Sequence, residues 1–359
     1  MSGGPPASIL GSSTEQGSTE QGSTEQGSTE GKPASSSSAP APQNWGGGAS
    51  PDISVAVISY NTKDLLRACL QSLMNREAGG EARLEIIVAD NGSADGSVAM
   101  VRREFPAVQV IETGENLGFG RANNLALSNA SGRAYCLLNS DAEVLPGALT
   151  QALAALDSDP KIGLVGGQLL WPDGRLQTSC GDDPTLWGVL REQTFTGATV
   201  RAPSVAPPAE TVADVDQICG AFMLIRPDAW QELNGFDPFY FMYNEDVDLN
   251  FRLRRAGWRV VFAPGIRVTH HLGASSSADW QKRARMVSAY NESRFYYFSR
   301  FYGPSAGAKL KAACLLGAAI RLTAWTILSA VKPSARDKVK LFGEVWRRTK
   351  LMRATGDIS

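Results

Sequence analysis

The stretch ISVAVIS at residues 53–59 decides how the following chain is interpreted, because an apolar, β-branched run of this length predicts a buried strand. Residues 64–76 then show helical spacing of their leucines, and residues 84–89 predict a second buried strand. The alternation continues with predicted strands at 108–111 and 134–138. Strands that alternate with helices in this way indicate an α/β fold, a doubly wound sheet with helices on both faces.

The alternation becomes less regular after residue 160. Residues 162–170 predict a strand, residues 215–225 predict one long apolar strand, and residues 246–256 predict a helix. Two short strands are predicted at 258–263 and 266–269. In open α/β sheets ligands bind beyond the carboxyl ends of the strands, so the polar loops at those ends are the places to search for function.

Composition and charge exclude several classes of protein. The chain has 359 residues, with 35 basic and 36 acidic side chains, and this balance argues against a dedicated nucleic-acid binder. Its five cysteines are scattered and form no CxxC pair, so neither a disulfide framework nor a zinc site is indicated. No basic and apolar secretory signal is recognisable near the N-terminus. We therefore expect a cytoplasmic protein.

The N-terminal segment, residues 1–51, differs from the remainder of the chain. The pentapeptide STEQG begins at residues 13, 18 and 23, and a truncated copy begins at residue 28. Such a segment offers almost no apolar surface to offset the entropy lost on ordering. We expect a disordered, repeat-containing tail.

Two polar motifs follow predicted strands directly. Asp90 and Asn91 follow the strand at 84–89, where a carboxylate can accept hydrogen bonds from a ribose or a base. The alternative is a turn aspartate that caps the next helix.

Asp141 and Glu143 follow the strand at 134–138, and their oxygens suit Mg²⁺ or Mn²⁺. The alternative is a turn whose acids favour the N-terminus of the next helix.

A dense acidic cluster and the only two histidines lie further along the chain. Glu245, Asp246 and Asp248 follow an aromatic run, and one carboxylate can act as a general base while another holds an acceptor hydroxyl. The alternative is a negatively charged helix start. His270 and His271 follow a predicted strand, and imidazole is a common metal ligand. An ordinary surface or core histidine remains the alternative.

Together these motifs resemble the family 2 glycosyltransferases, which have the GT-A fold, and most of all their bacterial rhamnosyltransferase-like branch. Each motif is weakly specific, but the set occurs in the family's order between residue 53 and about residue 275. The matching segments are VISYN at 57–61, VADNGS at 88–93, ENLGFG at 115–120 with Asn123 and Asn124, LNSD at 138–141, CGAFM at 219–223, GFD at 235–237, FMYNEDVDL at 241–249 and HHLG at 270–273.

The resemblance implies a role for each motif on the donor side. Asp90 and Asn91 would hold the nucleotide, and Ser59 and Asn61 would line the same site. The loop and helix start near the nucleotide sugar would comprise Asn116, Gly118, Phe119, Asn123 and Asn124.

The resemblance also implies the metal ligands and the catalytic residues. Asp141 and His270 would bind Mg²⁺ or Mn²⁺, with His271 as the alternative to His270. Glu143 is a less direct match, because the family often has Thr where this chain has Ala142. Three further acids complete the set: Asp246 would be the catalytic base, and Glu245 would contact the acceptor together with Asp248.

The implied activity is inverting, metal-dependent transfer of a sugar from a nucleotide-diphosphate donor to a hydroxyl of a cell-surface or lipid-linked glycan. The rhamnosyltransferase-like branch suggests dTDP-L-rhamnose as the donor. A sugar-phosphate nucleotidyltransferase is an alternative, but it needs a glycine-rich loop after the first strand, and residues 59–63 contain no glycine. A non-catalytic nucleotide-sugar-binding protein is another alternative, against which the complete set of acidic motifs argues.

The C-terminal segment, residues 276–359, is predicted to be helical and basic, and the catalytic domain is predicted to span 52–275. Residues 282–359 carry 16 Lys and Arg against four Asp and Glu. Residues 312–331 are mostly apolar but contain Arg321 at their middle, so an interfacial helix, a packed helix and a membrane span are all open. Basic segments favour anionic lipid, which predicts a peripheral enzyme on the cytoplasmic face of the inner membrane.

Overall fold

The computed structural model describes residues 50–75, 82–194, 212–271 and 279–352. The predicted N-terminal tail therefore lies, apart from its last two residues, outside the described residues. Residues 46–359 belong to one compact unit, which contains all the elements described below.

A mixed sheet forms the centre of this unit. Nine of the described strands belong to it, in the order β3-β2-β1-β4-β10-β6-β11-β5, with β8 also paired to β11. Strands β7 and β9 pair separately. The described strands are β1 Ile53–Ser59, β2 Leu84–Asp90, β3 Gln109–Glu112, β4 Ala134–Asn139, β5 Ala142–Val144, β6 Ile162–Leu170, β7 Cys180–Gly181, β8 Ala213–Asp214, β9 Gln217–Ile218, β10 Phe222–Ile225 and β11 Arg259–His270.

Helices cover both faces of the sheet, and a helical group follows it. The described α-helices are α1 Lys63–Met74, α2 Ser97–Glu104, α3 Phe119–Leu127, α4 Ala148–Asp157, α5 Leu186–Thr194, α6 Pro227–Glu232, α7 Glu245–Arg255, α8 Trp280–Tyr302, α9 Pro304–Ser329 and α10 Arg336–Leu351. The first four strands in chain order pair in parallel, whereas β10 runs antiparallel to β4. This arrangement confirms the predicted doubly wound mixed α/β sheet.

Strand β1 shows how the sequence builds both cores. Successive side chains of a strand point to opposite faces, so Val55 and Val57 pack into one core with α1, α2 and α4. Ala56 and Ile58 pack into the other core with α3, α6 and α7. A strand buried on both faces favours apolar residues, which is why ISVAVIS contains no charged residue and its polar positions are two buried serines.

Two details of the sheet differ from the sequence-based expectation. The predicted strand at 215–225 is two short strands, β9 and β10, because the backbone at Gly220 turns aside to hydrogen-bond the side chain of Asp246. The two strands predicted at 258–263 and 266–269 are one strand, β11, whose register shifts between Ala263 and Arg267. Pro264 lies at this shift, where a residue without an N–H interrupts the ladder.

The C-terminal helices pack against one another and against α5. Leu310 and Cys314 of α9 meet Phe298 of α8 and Val189 of α5 in a separate apolar cluster. Arg321 donates hydrogen bonds to the carbonyl oxygens of Glu192 and Gln193, at 2.9 and 3.0 Å. Arg321, the charged residue within the apolar run, thus attaches α9 to α5.

Helix α9 still exposes much of its surface. It is the one helix within the described ranges that is long and apolar enough to cross a membrane, and 22% of its most apolar window is buried. Leu316, Ile320 and Ile327 are between 40% and 70% exposed. One face of α9 therefore packs inward, and another presents apolar side chains to the surroundings.

Candidate active site

The carboxyl ends of β1, β2 and β4 meet at one edge of the sheet. Ser59 and Asp90 are paired at the ends of β1 and β2. Asp90 is 3% exposed, and its Oδ2 accepts a hydrogen bond from the backbone N–H of Ser93 at 2.8 Å. Its Oδ1 is buried with no hydrogen-bond partner among the described residues. A buried acceptor of this kind normally finds a partner, so this oxygen is suited to a ligand.

Ser59 and Asn61 shape this end of the site. Asn61 has a φ of 54°, and its Oδ1 accepts a hydrogen bond from the backbone N–H of Ala94 at 2.8 Å. Ser59 is fully buried, and its hydroxyl lies 3.2 Å from that of Thr62. The Asn61 side chain joins the loops after β1 and β2, whereas the Ser59 hydroxyl stays within the loop after β1. The structure thus brings the predicted donor-binding residues together, and Asp90 and Asn91 each keep one buried side-chain oxygen without a partner among the described residues.

The loop before α3 approaches the acidic motif through backbone contacts. The amide N–H of Phe119 donates a hydrogen bond to the carbonyl oxygen of Phe241 at 3.0 Å. Gly118 has a φ of 82°, and a Cβ at this position would clash with the same carbonyl. Asn116 accepts a hydrogen bond from Gly118 N–H at 2.9 Å, and Asn91 donates one to Gly118 C=O at 3.1 Å. Only glycine allows this close approach at a positive φ.

Asn123 and Asn124 were expected to contact a substrate, and the structure gives them different environments. Asn123 is fully buried, and its amide donates a hydrogen bond to the carbonyl of Phe119 at 3.0 Å, whereas its Oδ1 has no hydrogen-bond partner among the described residues. Asn124 binds both backbone groups of Phe236, donating at 2.8 Å and accepting at 2.9 Å. The Asn124 amide therefore positions α3 against the turn at Phe236, because both of its polar atoms are engaged by the protein backbone.

Helix α7 begins with the two predicted catalytic acids. Tyr243 and Asn244 both have positive φ, 71° and 62°, immediately before Glu245. Left-handed backbone at non-glycine residues is uncommon, and consecutive cases concentrate at functional sites. Asp246 accepts a hydrogen bond from the amide N–H of Gly220 at 3.0 Å. Glu245 is 7% exposed, and its Oε2 has no partner among the described residues.

Burial sets the electrostatics of this pair. Desolvation raises the pKa of Asp246 above its ordinary value, despite the hydrogen bond from Gly220. Desolvation and then the charge of Asp246 raise the pKa of Glu245 to about 8. Near neutral pH the pair therefore holds one proton on Glu245. A carboxylate with a raised pKa is a stronger base, which is what Asp246 needs to accept a proton.

Cys219 lies within electrostatic reach of three of the predicted acids. Burial raises the pKa of its thiol to about 12, and the charges of Asp246, Glu245 and Asp141 contribute to that rise. A hydrogen bond fixes the neighbouring backbone: the N–H of Asn139, at the end of β4, donates to the carbonyl oxygen of Ala221 at 3.1 Å. The structure thus brings the predicted base and the predicted metal-binding aspartate to the same edge.

Asp248 is the member of the acidic motif that differs most from expectation. Its side chain is fully buried and forms an ion pair with Arg252. Arg300 and the hydroxyl of Tyr240 contact its other oxygen, each at 3.2 Å. A substrate contact was predicted for Asp248, but its carboxylate joins α7 to α8 and has no exposed oxygen.

Asp141 and His270 face each other across the ends of β4 and β11. Asp141 Oδ1 lies 3.3 Å from His270 Nε2. Two adjacent ligands in an octahedral Mg²⁺ or Mn²⁺ site, each about 2.1 Å from the ion, lie about 3 Å apart. Gln177 Oε1 lies 2.7 Å from His270 Nδ1 and, as an acceptor there, leaves the lone pair of Nε2 facing Asp141 and, at 3.4 Å, the amide nitrogen of Asn139. Such an outer partner is typical of a metal-binding histidine.

Glu143 does not join this pair. Its Oε1 lies 2.7 Å from His271 Nε2, so Glu143 and His271 form a second pair. The structure therefore pairs Glu143 with His271, and it places His270 beside Asp141. Within the described ranges no three His, Cys, Asp or Glu side chains converge, so an ion held by Asp141 and His270 would take its other ligands from substrate or water.

Gln177 was missed by the sequence analysis. It lies in the polar segment that follows β6, and no sequence pattern there distinguishes Gln177 from other polar residues. Its amide also donates to the backbone carbonyl of His270 at 3.1 Å, so it holds that residue at two points. A side chain that positions a metal-binding histidine from a loop distant in sequence cannot be found from the spacing of residues.

Comparisons with known proteins show which proteins this chain is similar to. The chain is 28% identical over 306 residues to N-acetylglucosaminyl-diphospho-decaprenol L-rhamnosyltransferase of Mycobacterium tuberculosis, covering 80% of this chain and 96% of that protein. It is 37% identical over 86 residues to rhamnosyltransferase WbbL of Escherichia coli, covering 24% of this chain and 31% of that protein. A mannosyltransferase of Pyrobaculum calidifontis, solved with GDP-mannose and Mn²⁺, matches 84% of this chain and 86% of its own at 19% identity, with a TM-score of 0.49.

The family model described as "Glycosyltransferase like family 2" matches residues 51–322, well over half of the chain. The matched region contains the sheet, the acidic pair and the facing Asp141 and His270. The resemblance seen in the motifs is thereby confirmed, and the chain is a glycosyltransferase that belongs to this family 2-like group.

Proposed function

We propose that this glycosyltransferase is inverting and dependent on a divalent metal ion, and that it glycosylates a lipid-linked or cell-surface glycan. One observation supports the proposal most directly. Asp246, fixed by the backbone of Gly220, shares an edge of the sheet with the facing Asp141 and His270. A base and a metal-binding pair side by side are what displacement of a nucleotide diphosphate requires.

The residues of the chain have separable tasks in this proposal. Asp90 accepts hydrogen bonds from the nucleotide through its unpartnered oxygen. Asp141 and His270 hold Mg²⁺ or Mn²⁺, which when bound offsets the negative charge of the leaving diphosphate. Asp246 accepts the proton of the acceptor hydroxyl. Glu245 keeps its own proton and so places no second negative charge beside Asp246. One base on one face suffices for a single displacement with inversion of the anomeric centre.

The relatives support a choice of donor and acceptor. Two of them are named rhamnosyltransferases, and one is named for an N-acetylglucosaminyl-diphospho-decaprenol acceptor. We propose dTDP-L-rhamnose as the donor and an N-acetylglucosamine linked through a diphosphate to a polyprenol as the acceptor. Such an acceptor places the reacting hydroxyl close to a membrane surface.

The C-terminal part supports a membrane location for this chemistry. The exposed apolar side chains of α9 form one stripe, and residues 282–359 carry a large excess of Lys and Arg. Apolar side chains beside cations suit the headgroup region of an anionic bilayer. We propose that residues 52–275 carry the chemistry and residues 276–359 attach it peripherally to the cytoplasmic face of the inner membrane.

A donor screen tests the proposed function. Purified enzyme is incubated with individual nucleotide sugars and Mn²⁺, Mg²⁺ or chelator, and release of nucleoside diphosphate is measured. Metal-dependent release from dTDP-L-rhamnose is expected, and in the presence of acceptor the product should have the anomeric configuration opposite to that of the donor. Equal release with chelator contradicts the metal dependence, and a product that keeps the donor's anomeric configuration contradicts inversion. Release of pyrophosphate would instead indicate a nucleotidyltransferase, which membership of the glycosyltransferase family already sets aside.

A further inference from the structure

A cavity of about 410 Å³ lies between α8, α9 and α10, and it reaches the loop before α7. This α8–α10 cavity is lined mainly by apolar or aromatic side chains, which include Tyr243, Val287, Tyr290, Ala318, Phe342 and Val345. Its volume lies within the range of pockets that bind small molecules. Apart from Tyr243, which directly precedes the catalytic acids, none of its lining residues belongs to the site described above.

The α8–α10 cavity adjoins the catalytic acids. Tyr243 lines it two residues before Glu245, and the ring of Tyr243 packs edge-on against that of Tyr290, with centroids 5.8 Å apart. The hydroxyl of Ser293 in α8 donates to the carbonyl of Met242 at 3.0 Å, which attaches the cavity wall to the loop before α7. Partial burial, and then the charge of Glu245, raise the pKa of Tyr243. One end of a molecule bound in the cavity would therefore lie beside Glu245 and Asp246.

The chemistry of the walls selects the occupant. A nucleotide sugar and the glycan part of an acceptor are polar, and neither needs a cavity with apolar walls. A hydrocarbon chain does, and its burial is favoured in proportion to the apolar area removed from water. The basic charge of residues 282–359 complements a diphosphate joined to such a chain.

Helix α9 separates the cavity from an outer apolar surface. Ala318 and Arg321 face the cavity, whereas Leu316 and Ile320 are 48% and 40% exposed on the other side of the helix. A chain that leaves the cavity therefore meets further apolar surface on the same helix. This continuity suits a lipid whose head is held by the enzyme while its tail stays in a bilayer.

We propose that the α8–α10 cavity binds the isoprene units nearest the diphosphate of a polyprenyl-linked acceptor. The inference rests on the proposed function and adds the place where the lipid is recognised. It makes the enzyme selective for the length of the acceptor's hydrocarbon chain, and the selectivity resides in side chains that take no part in the chemistry.

The test compares two acceptors that differ only in their lipid. Both carry N-acetylglucosamine diphosphate, one on an undecaprenyl chain and the other on a dimethylallyl group, and both are presented in detergent with donor and metal. We expect the native enzyme to use the long-chain acceptor with a kcat/KM about tenfold higher or more. The substitution Val287→Trp, at a position 38% exposed in the cavity wall, should raise the KM for the long-chain acceptor about tenfold.

The matched control is Leu125→Trp, because Leu125 is also 38% exposed on a helix but lies in α3. This variant should keep the native preference, and Val287→Trp should keep the native kcat/KM for the dimethylallyl acceptor. Equal use of both acceptors by the native enzyme, or an equal loss with both acceptors in Val287→Trp, overturns the cavity assignment while leaving the transferase function intact. No metal-dependent transfer to either acceptor overturns both proposals.

Discussion

Replacing Glu245 by Gln tests the electrostatic description of the active site. Glu245 is 7% exposed, and burial together with the charge of Asp246 raises its pKa from an ordinary value of 4.5 to about 8. Between these two pH values the folded chain keeps a proton on Glu245 that the unfolded chain releases. The free energy of unfolding must therefore fall as the pH rises through this window. Glutamine is neutral at every pH, so the substitution removes this dependence.

The size of the effect follows from the two pKa values. One pKa unit corresponds to about 1.36 kcal/mol, so a window of about 3.5 units corresponds to about 5 kcal/mol in total. Part of the window lies below pH 5, which leaves about 4 kcal/mol between about pH 5 and about pH 9. Glu245→Gln should become more stable relative to the native protein by that amount over this range.

Urea denaturation at several pH values measures the difference between variant and native protein. Glu112→Gln is a suitable control, because Glu112 is half exposed and pairs with Arg102 at the surface. Its difference from the native protein should stay within about 1 kcal/mol across the range. A Glu245→Gln difference that is equally independent of pH would refute the buried, proton-holding Glu245.

Three further substitutions test other parts of the site. Asp248→Ala should reduce the free energy of unfolding by about 3–5 kcal/mol in chemical denaturation, because it leaves the mostly buried Arg252 without its carboxylate partner; a loss under about 1 kcal/mol would return Asp248 to a substrate role. His270→Ala should raise the Mn²⁺ concentration needed for half-maximal donor hydrolysis at least about tenfold, whereas His271→Ala should not, and the reverse result would exchange their roles. Gly118→Ala should lower transfer and stability more than Gly114→Ala in paired assays, because both glycines have positive φ but only Gly118 meets backbone within 4 Å.

The strands of the sheet were largely predictable because a strand buried on both faces is apolar at most of its positions. Residues 53–59 and 162–170 were predicted with their observed bounds, since mostly apolar runs between polar turns leave little choice of boundary. The region around Gly220 was not predictable in the same way. Its backbone is shaped by a hydrogen bond to Asp246, which is distant in sequence. An apolar run contains no information about such a contact.

The acidic motifs showed where the site lies but not what each acid does. Residue type and spacing alone do not separate Asp246, held by a backbone amide beside the site, from Asp248, buried between arginines. The arginines that neutralise Asp248 come from α7 and α8, and one of them is 52 residues away. Glu143 likewise has a partner that only pairing of β5 with β11 brings near. Side-chain roles of this kind depend on tertiary contacts.

The transfer rate of Asp246→Asn, measured together with its affinity for the donor, tests the central claim most directly. Asparagine preserves the shape of the side chain and can still accept the hydrogen bond from Gly220, but it cannot take a proton at neutral pH. We predict that transfer to the acceptor falls by about 10²–10⁴-fold, while the dissociation constant for the nucleotide sugar changes by less than about threefold. Undiminished transfer by this variant would contradict the assignment of Asp246 as the base.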